Sequence, residues 1–116
     1  MCLPISVVGR WQVTWSIAND GAESLVLEAA WIPHGRFRGE GRMPLSSQVN
    51  PGESALLKFS VTAREPPGTR VENAFLILRA NRQGHTWRIF TRMRIEFDAQ
   101  AVPTPVIELI TVQPIT

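Results

Sequence analysis

Trp11-Gln12-Val13-Thr14-Trp15-Ser16-Ile17-Ala18 places a large apolar residue at every odd position and a polar or small one at every even position. Successive side chains of a strand point to opposite faces. This period of two therefore sets Trp11, Val13, Trp15 and Ile17 against a core and leaves the other side in solvent. The same alternation recurs downstream. Leu57, Phe59 and Val61 share one face over residues 54–62, opposite Lys58 and Ser60. Over 85–98, the longest expected strand, Trp87, Ile89, Met93, Ile95 and Phe97 alternate with Arg88, Phe90, Arg92, Arg94 and Glu96. A further strand over 25–32 is expected to put Leu25, Leu27, Ala29 and Trp31 on one face, with Pro33 ending it. Ala74-Phe75-Leu76-Ile77-Leu78, inside a strand over 71–80, is apolar on both faces and suits a central strand covered on both sides. No stretch repeats at 3.6 residues, so little helix is expected.

Turn signals separate these runs. Asn19-Asp20-Gly21 follows the first, its residues tolerating positive φ. Asn50-Pro51-Gly52 precedes 54–62, and Glu65-Pro66-Pro67-Gly68 follows it. Asn81-Arg82-Gln83-Gly84 joins the last two strands as a hairpin. Residues 33–52, with three prolines and four glycines, read as irregular apart from a short strand around 43–49. Leu3–Val8 supplies an opening edge strand. Six or seven short strands punctuated in this way imply an all-β antiparallel sandwich or small barrel.

The chain has 116 residues, which bounds it at one domain with one core. Hydrophobic residues make up 44% and charged residues 19%, excluding a disordered tail. No apolar run reaches the ~20 residues of a membrane-spanning helix. Met1–Arg10 lacks a basic n-region and a cleavage site, so no signal peptide is expected. The single cysteine excludes an internal disulfide and a cysteine-only zinc site, and together with the missing signal it suits the cytoplasm. Eleven arginines and one lysine oppose ten acids for a formal net charge of +2, although the isoelectric point is near 9.5. So small a net charge exerts little long-range pull on nucleic acid, which is disfavoured as a partner on that ground.

Three segments are similar to bacterial immunoglobulin-like domains of the adhesion and cell-surface accessory type. They are WQVTWSIANDG at 11–21, NPGESALLKFSV at 50–61, and the closing hairpin AFLILRANRQGHTWRIFTRMRI at 74–95. The resemblance covers residues 5–98 and implies a seven-stranded immunoglobulin-like sandwich, a binding or spacer role, a place at the cell surface if a signal was removed, and no catalytic residue. The Cys…Trp…Cys arrangement of antibody domains is missing. Residues 1–98 thus form the expected sandwich and 99–116 a C-terminal extension.

Within that extension, Pro103 and Pro105 set off Val106-Ile107-Glu108-Leu109-Ile110-Thr111-Val112, which is β-prone and nearly uncharged. It forms either a last edge strand on its own sandwich, the simpler reading, or a strand shared with a second copy or another protein.

Candidate ligand-binding residues fall in two groups. Arg36, Phe37, Arg38 and Arg42 belong to a Gly-rich loop over 33–42 whose backbone N–H groups and guanidiniums suit a carboxylate, phosphate or sulfate. In that loop Phe37 either stacks on a ligand or plugs the end of the sandwich, and Arg36 and Arg38 either bind or pair with Glu40. Arg88, Arg92 and Arg94 share the polar face of the last strand, with Arg79 and Arg82 nearby, as a stripe about 20 Å long. The plainer account of this stripe is a solvated face.

Cys2, His34, Met43 and His85 share no ligand spacing, so neither a metal nor a cofactor is expected. Motifs for nucleophilic, metal-dependent or dinucleotide chemistry are missing. The four tryptophans keep phase with their strands' apolar residues and are assigned to the core, with Trp11 the most exposed. The leading expectation is a non-catalytic interaction or structural module acting through a sheet edge, the tail or the Gly/Arg loop. The alternative is a binding module for an anionic ligand, whether acidic glycan, phosphate or nucleic acid.

Overall fold

The computed structural model describes residues 2–4 and 8–115. The described chain forms ten strands: β1 (Cys2–Pro4), β2 (Arg10–Ala18), β3 (Leu25–Trp31), β4 (Pro33–His34), β5 (Phe37–Gly39), β6 (Met43–Val49), β7 (Ser54–Thr62), β8 (Arg70–Arg82), β9 (His85–Phe97) and β10 (Pro103–Pro114). They make two antiparallel five-stranded sheets, ordered β1-β2-β7-β5-β4 and β10-β9-β8-β3-β6. Among the described residues no helix is long and apolar enough to cross a membrane.

The alternating runs form the centre of this arrangement. Val13 and Trp15 of β2 lie in register with Phe59 and Leu57 of β7, and all four are buried. The Trp15 and Phe59 rings meet edge to face at 6.2 Å. From the second sheet Leu76 and Leu78 of β8 and Met93, Ile95 and Phe97 of β9 complete the same core. β8 occupies the centre of its sheet, as its doubly apolar run requires. Its second face is covered by partly buried neighbouring side chains, with no third layer packed on it.

Three strands exceed the seven expected. The segment read as an irregular loop contains a small hairpin, β4–β5, turned at Gly35-Arg36 and joined to the first sheet through β7. Two contacts fold it: Phe37 is 0% exposed in the core, and the Arg36 N–H donates to His34 Nδ1 at 3.0 Å. The tail forms β10 on its own sheet, paired with β9 from Pro103↔Phe97 to Pro114↔Trp87. Pro103 and Pro105 begin this strand instead of preceding it, a position an edge strand tolerates. Asp98 shapes the preceding turn, its carboxylate accepting the N–H groups of Gln100 and Val102. Of the expected opening strand, Cys2–Pro4 pairs with β2, Val8 lies outside it, and residues 5–7 lie outside the described residues.

One phase is reversed. A β-bulge between Leu27 and Ala29 inserts Glu28, so Leu27 and Ala30 face the core while Ala29, though buried under its neighbours, and Trp31 lie on the outer side. Trp31 pairs with Ile77 on the outer surface of the second sheet and does not share the face of Leu27.

Candidate functional site

The outer face of the second sheet is crossed by three rungs of registered residues. Trp31, Ile77, Phe90 and Thr111 make one, from β3 across β8 and β9 to β10. Ala29, Arg79, Arg88 and Gln113 make the next, and Phe75, Arg92 and Leu109 the third. Rungs on one face are two residues, or about 6.7 Å, apart, and neighbouring strands about 4.8 Å.

Two arginines lie against one indole. The Arg42 guanidinium carbon is 4.7 Å from the Trp31 ring centroid and that of Arg88 is 5.8 Å away. A cation over a π face is attracted to it, which restrains both long side chains before any ligand arrives. Arg38 and Arg42 also line, with Trp31 and Gly41, an open cavity of about 360 Å³. Phe90 meets Phe75 edge to face at 6.4 Å and stands between Arg88 and Arg92 on β9.

Ion pairs divide the arginines. Arg36 donates to Glu65 at 2.6 Å, and this bond holds the Glu65 carboxyl below its ordinary range. Glu40 pairs with Arg10 and not with Arg36 or Arg38. Arg94 donates to Glu96 at 2.9 Å and to Glu108 at 3.3 Å; the Arg94 bond is the main cause that lowers the Glu96 pKa. Arg79 pairs with Glu28, Arg82 with Glu23, and Arg70 with Glu96 and Glu72. Among the described residues Arg38, Arg42, Arg64, Arg88 and Arg92 have no carboxylate partner within 4.0 Å. The Arg88 Nε is buried without a hydrogen-bond partner.

The seven residues singled out from sequence therefore separate. Arg38, Arg42, Arg88 and Arg92 carry uncompensated charge, and Arg42 and Arg88 share an indole although they come from the two different sequence groups. Arg36 and Arg94 are occupied by carboxylates. Phe37 takes the second of its two expected roles and plugs the core, so its ring offers nothing to a ligand. Trp31, which links the two groups, is a core residue by its sequence phase and lies on the outer face instead. The available sequence signal was Glu28-Ala29-Ala30, a charged residue and two small ones where strict alternation demands a large apolar side chain.

A second feature is the edge made by β10. Ile107, Leu109, Ile110 and Val112 are 53%, 49%, 58% and 54% exposed. Ile110 and Val112 lie in register with Thr91 and Ile89, on the side of the sheet that faces the core, yet the opposite sheet does not reach over them. Beside Val112 a cavity of about 390 Å³ runs between Val112, Ile89, Trp87 and Leu25.

A cavity of about 630 Å³ lies elsewhere, among Pro4, Trp11, Ala63, Pro66 and Ala101, and is lined by none of the expected residues. Among the described residues no three His, Cys, Asp or Glu side chains are grouped to hold a metal. Cys2 is buried, and burial pushes its thiol up to about 11. What fold and surface define is thus a two-sheet antiparallel β-sandwich with an arginine-rich aromatic face and one open edge. No protein-family model, no curated protein and no solved structure matches this chain.

Proposed function

We propose that the chain is a non-catalytic interaction module that recruits a partner strand at the free edge of β10, the first partner being a second copy of itself. The observation that carries this reading is the contrast between β10 and the other three sheet edges. An open edge invites pairing, and folded proteins blunt such edges by shortness, proline or charge. Among the described residues β1 has three and β4 two. β6 has seven, with Pro44 near its start and Ser46, Ser47 and Gln48 after it. β10 has twelve, and its prolines lie only at positions 103, 105 and 114. The proline-free stretch between them carries one charge, Glu108, which is tied to Arg94. Edge addition uses main-chain hydrogen bonds for affinity and exposed side chains for fit, and exposed Ile110 and Val112, the latter beside its cavity, suit that role.

The immunoglobulin-like reading of the fold accompanies this proposal. Strands β1-β2-β7 against β9-β8-β3 follow the A-B-E and G-F-C order of such sandwiches, with β5 in the place of D. That architecture commonly serves binding and spacing, which favours an interaction role at the level of analogy.

Light scattering after size exclusion tests the proposal on the full chain and on an Ile110→Lys, Val112→Lys variant. The full chain is expected to dimerise with rising concentration, and the variant to stay monomeric with an unchanged melting temperature. A full chain that stays monomeric into the millimolar range, or a variant that dimerises as well as the parent, overturns it.

A further inference from the structure

The formal net charge of +2 hides an uneven distribution. The carboxylates grouped with the arginines of the second sheet's outer face are each held by one of them: Glu28 by Arg79, Glu72 by Arg70, Glu96 by Arg70 and Arg94, Glu108 by Arg94. Arg42, Arg88 and Arg92 are left over on this face, with Arg38 beside Arg42 at its margin. Local potential follows the local sum of charges and not the total. A net charge near neutrality therefore does not argue against an anionic partner at this surface.

We propose that this face binds single-stranded nucleic acid. Three observations select that chemistry. Arg42 and Arg88 are held against Trp31 without carboxylate partners, which leaves guanidinium edges free for phosphate while the stacking limits the entropy lost on binding. Arg88, Phe90 and Arg92 stand on one face of β9 at two-residue steps, so that a cation flanks an aromatic ring on either side. That is the phosphate, base, phosphate order of one nucleotide along a strand. The third is that Phe75 and Phe90 share this face with the arginines, and rings beside guanidiniums accept splayed bases, which a duplex keeps stacked inside. Phe90, with Phe75 set edge-on behind it, is the stacking platform, and no guanidinium covers it among the described residues. An acidic glycan would use the same arginines but has no flat base to lay on that ring.

Fluorescence anisotropy of a labelled oligothymidine of about a dozen nucleotides, titrated with the full chain, tests this. With three or four phosphates engaged, the logarithm of affinity should fall against that of salt with a slope of about −2 to −3 between about 50 and 200 mM. Arg88→Gln with Arg92→Gln should flatten that slope by about 1.4, two phosphates' worth. Phe90→Leu, which keeps an apolar side chain beside Phe75, should weaken binding by about tenfold, within the range of one lost stack, and leave the slope unchanged. Arg36→Gln, at an arginine already paired with Glu65, should change neither. Each variant's melting curve is recorded so that unfolding is not read as lost binding. The proposal is overturned by undetectable binding at the lower salt. It is equally overturned by an arginine double variant that binds like the parent. A third contrary result is a folded Phe90→Leu variant that binds as tightly as the parent while a sulfated glycan competes as well as the oligonucleotide, which would make the face a general polyanion surface.

Discussion

Replacing Phe37 with alanine distinguishes a core anchor from a ligand-stacking ring. Phe37 is 0% exposed and packs in one cluster with Ile32, Phe59 and Val61. A buried phenylalanine withdraws about 200 Å² from water, which at about 25 cal/mol per Å² is roughly 5 kcal/mol. A denatured chain that already hides about a quarter of that surface reduces it to about 4 kcal/mol. The β-carbon kept by alanine lowers the loss a little further, so the substitution should cost about 3–4 kcal/mol, the lower half of the range for large aromatic deletions in cores. For 116 residues a stability of roughly 6–17 kcal/mol is ordinary, so the loss is large but survivable. Urea unfolding followed by tryptophan fluorescence reads the change as a lower midpoint at unchanged slope. Arg38→Ala, at the exposed neighbouring position, should stay within about 0.5 kcal/mol. If Phe37→Ala costs less than about 1 kcal/mol, the ring is not in the core and the β4–β5 hairpin that carries Arg38 is not docked as described.

Asn19→Ala should cost about 2–4 kcal/mol in the same assay, because buried Asn19 donates to the carbonyls of Glu23 and Val49 and accepts from the Gly21 N–H, and its loss removes all three bonds. Gly84→Ala should cost about 1 kcal/mol and Gln83→Asn should stabilise slightly, since both turn residues have positive φ, 78° and 52°, in a two-residue hairpin suited to Asn-Gly. Glu65 titrates below its ordinary value of 4.5 in the folded state through the Arg36 bond, so its stabilising contribution is complete above that pH and is lost as pH falls below it. Glu65→Gln should accordingly flatten the acid limb of a stability profile without changing its shape above pH 6 or so. Cys2, its thiol pushed from 9.0 to about 11 by burial, should react with maleimide at least about 100-fold more slowly than a free cysteine, matching the drop in thiolate fraction; a rapid reaction would show the thiol exposed.

Period-two alternation survived into the fold in strands that carry no inserted residue of their own, even beside bulged neighbours, as β9 is between β8 and β10. β2, β7 and β9 bury the residues their sequences mark, because with one face committed to the core a slip of one residue would expose all of it. Alternation failed at β3, where one inserted residue, Glu28, exchanges the faces beyond it. Register depends on the pairing of two strands, and nothing in one strand's own sequence states that an extra residue is accommodated. The Asn19-Asp20-Gly21 signal located a turn but for another reason. None of the three residues has positive φ; the turn is held by the Asn19 side chain, which ties residues 21 and 23 to Val49 at the end of β6. The arginine partners were equally hidden. Arg36 lies closer in sequence to Glu40 than to Glu65, yet the hairpin carries it to the latter, since ion pairs follow topology. Half of the candidate surface was therefore legible as arginine positions on β9. The other half needed the bulge that turns Trp31 outward and the fold that sets Arg42 against it.

The two proposed surfaces meet at β10, and this links their tests. Leu109 and Thr111 lie on the same face as Arg92 and Phe90 and share a cavity with them. Antiparallel pairing of two β10 edges requires a two-fold axis perpendicular to the sheet, so both arginine faces point to the same side of one ten-stranded sheet. Three strand spacings, about 14 Å, then separate the two β9 strands. A single-stranded polymer long enough to cross that gap engages both copies at once, and the second engagement is intramolecular. By linkage, such a polymer must favour the dimer to the same degree that the dimer favours the polymer. An oligonucleotide confined to one face carries no such preference. Raising oligothymidine length should therefore increase the dimer fraction seen by light scattering, and Ile110→Lys with Val112→Lys should abolish that length dependence while sparing the affinity for short strands. Equal dimer fractions with short and long strands would show that edge and face act independently.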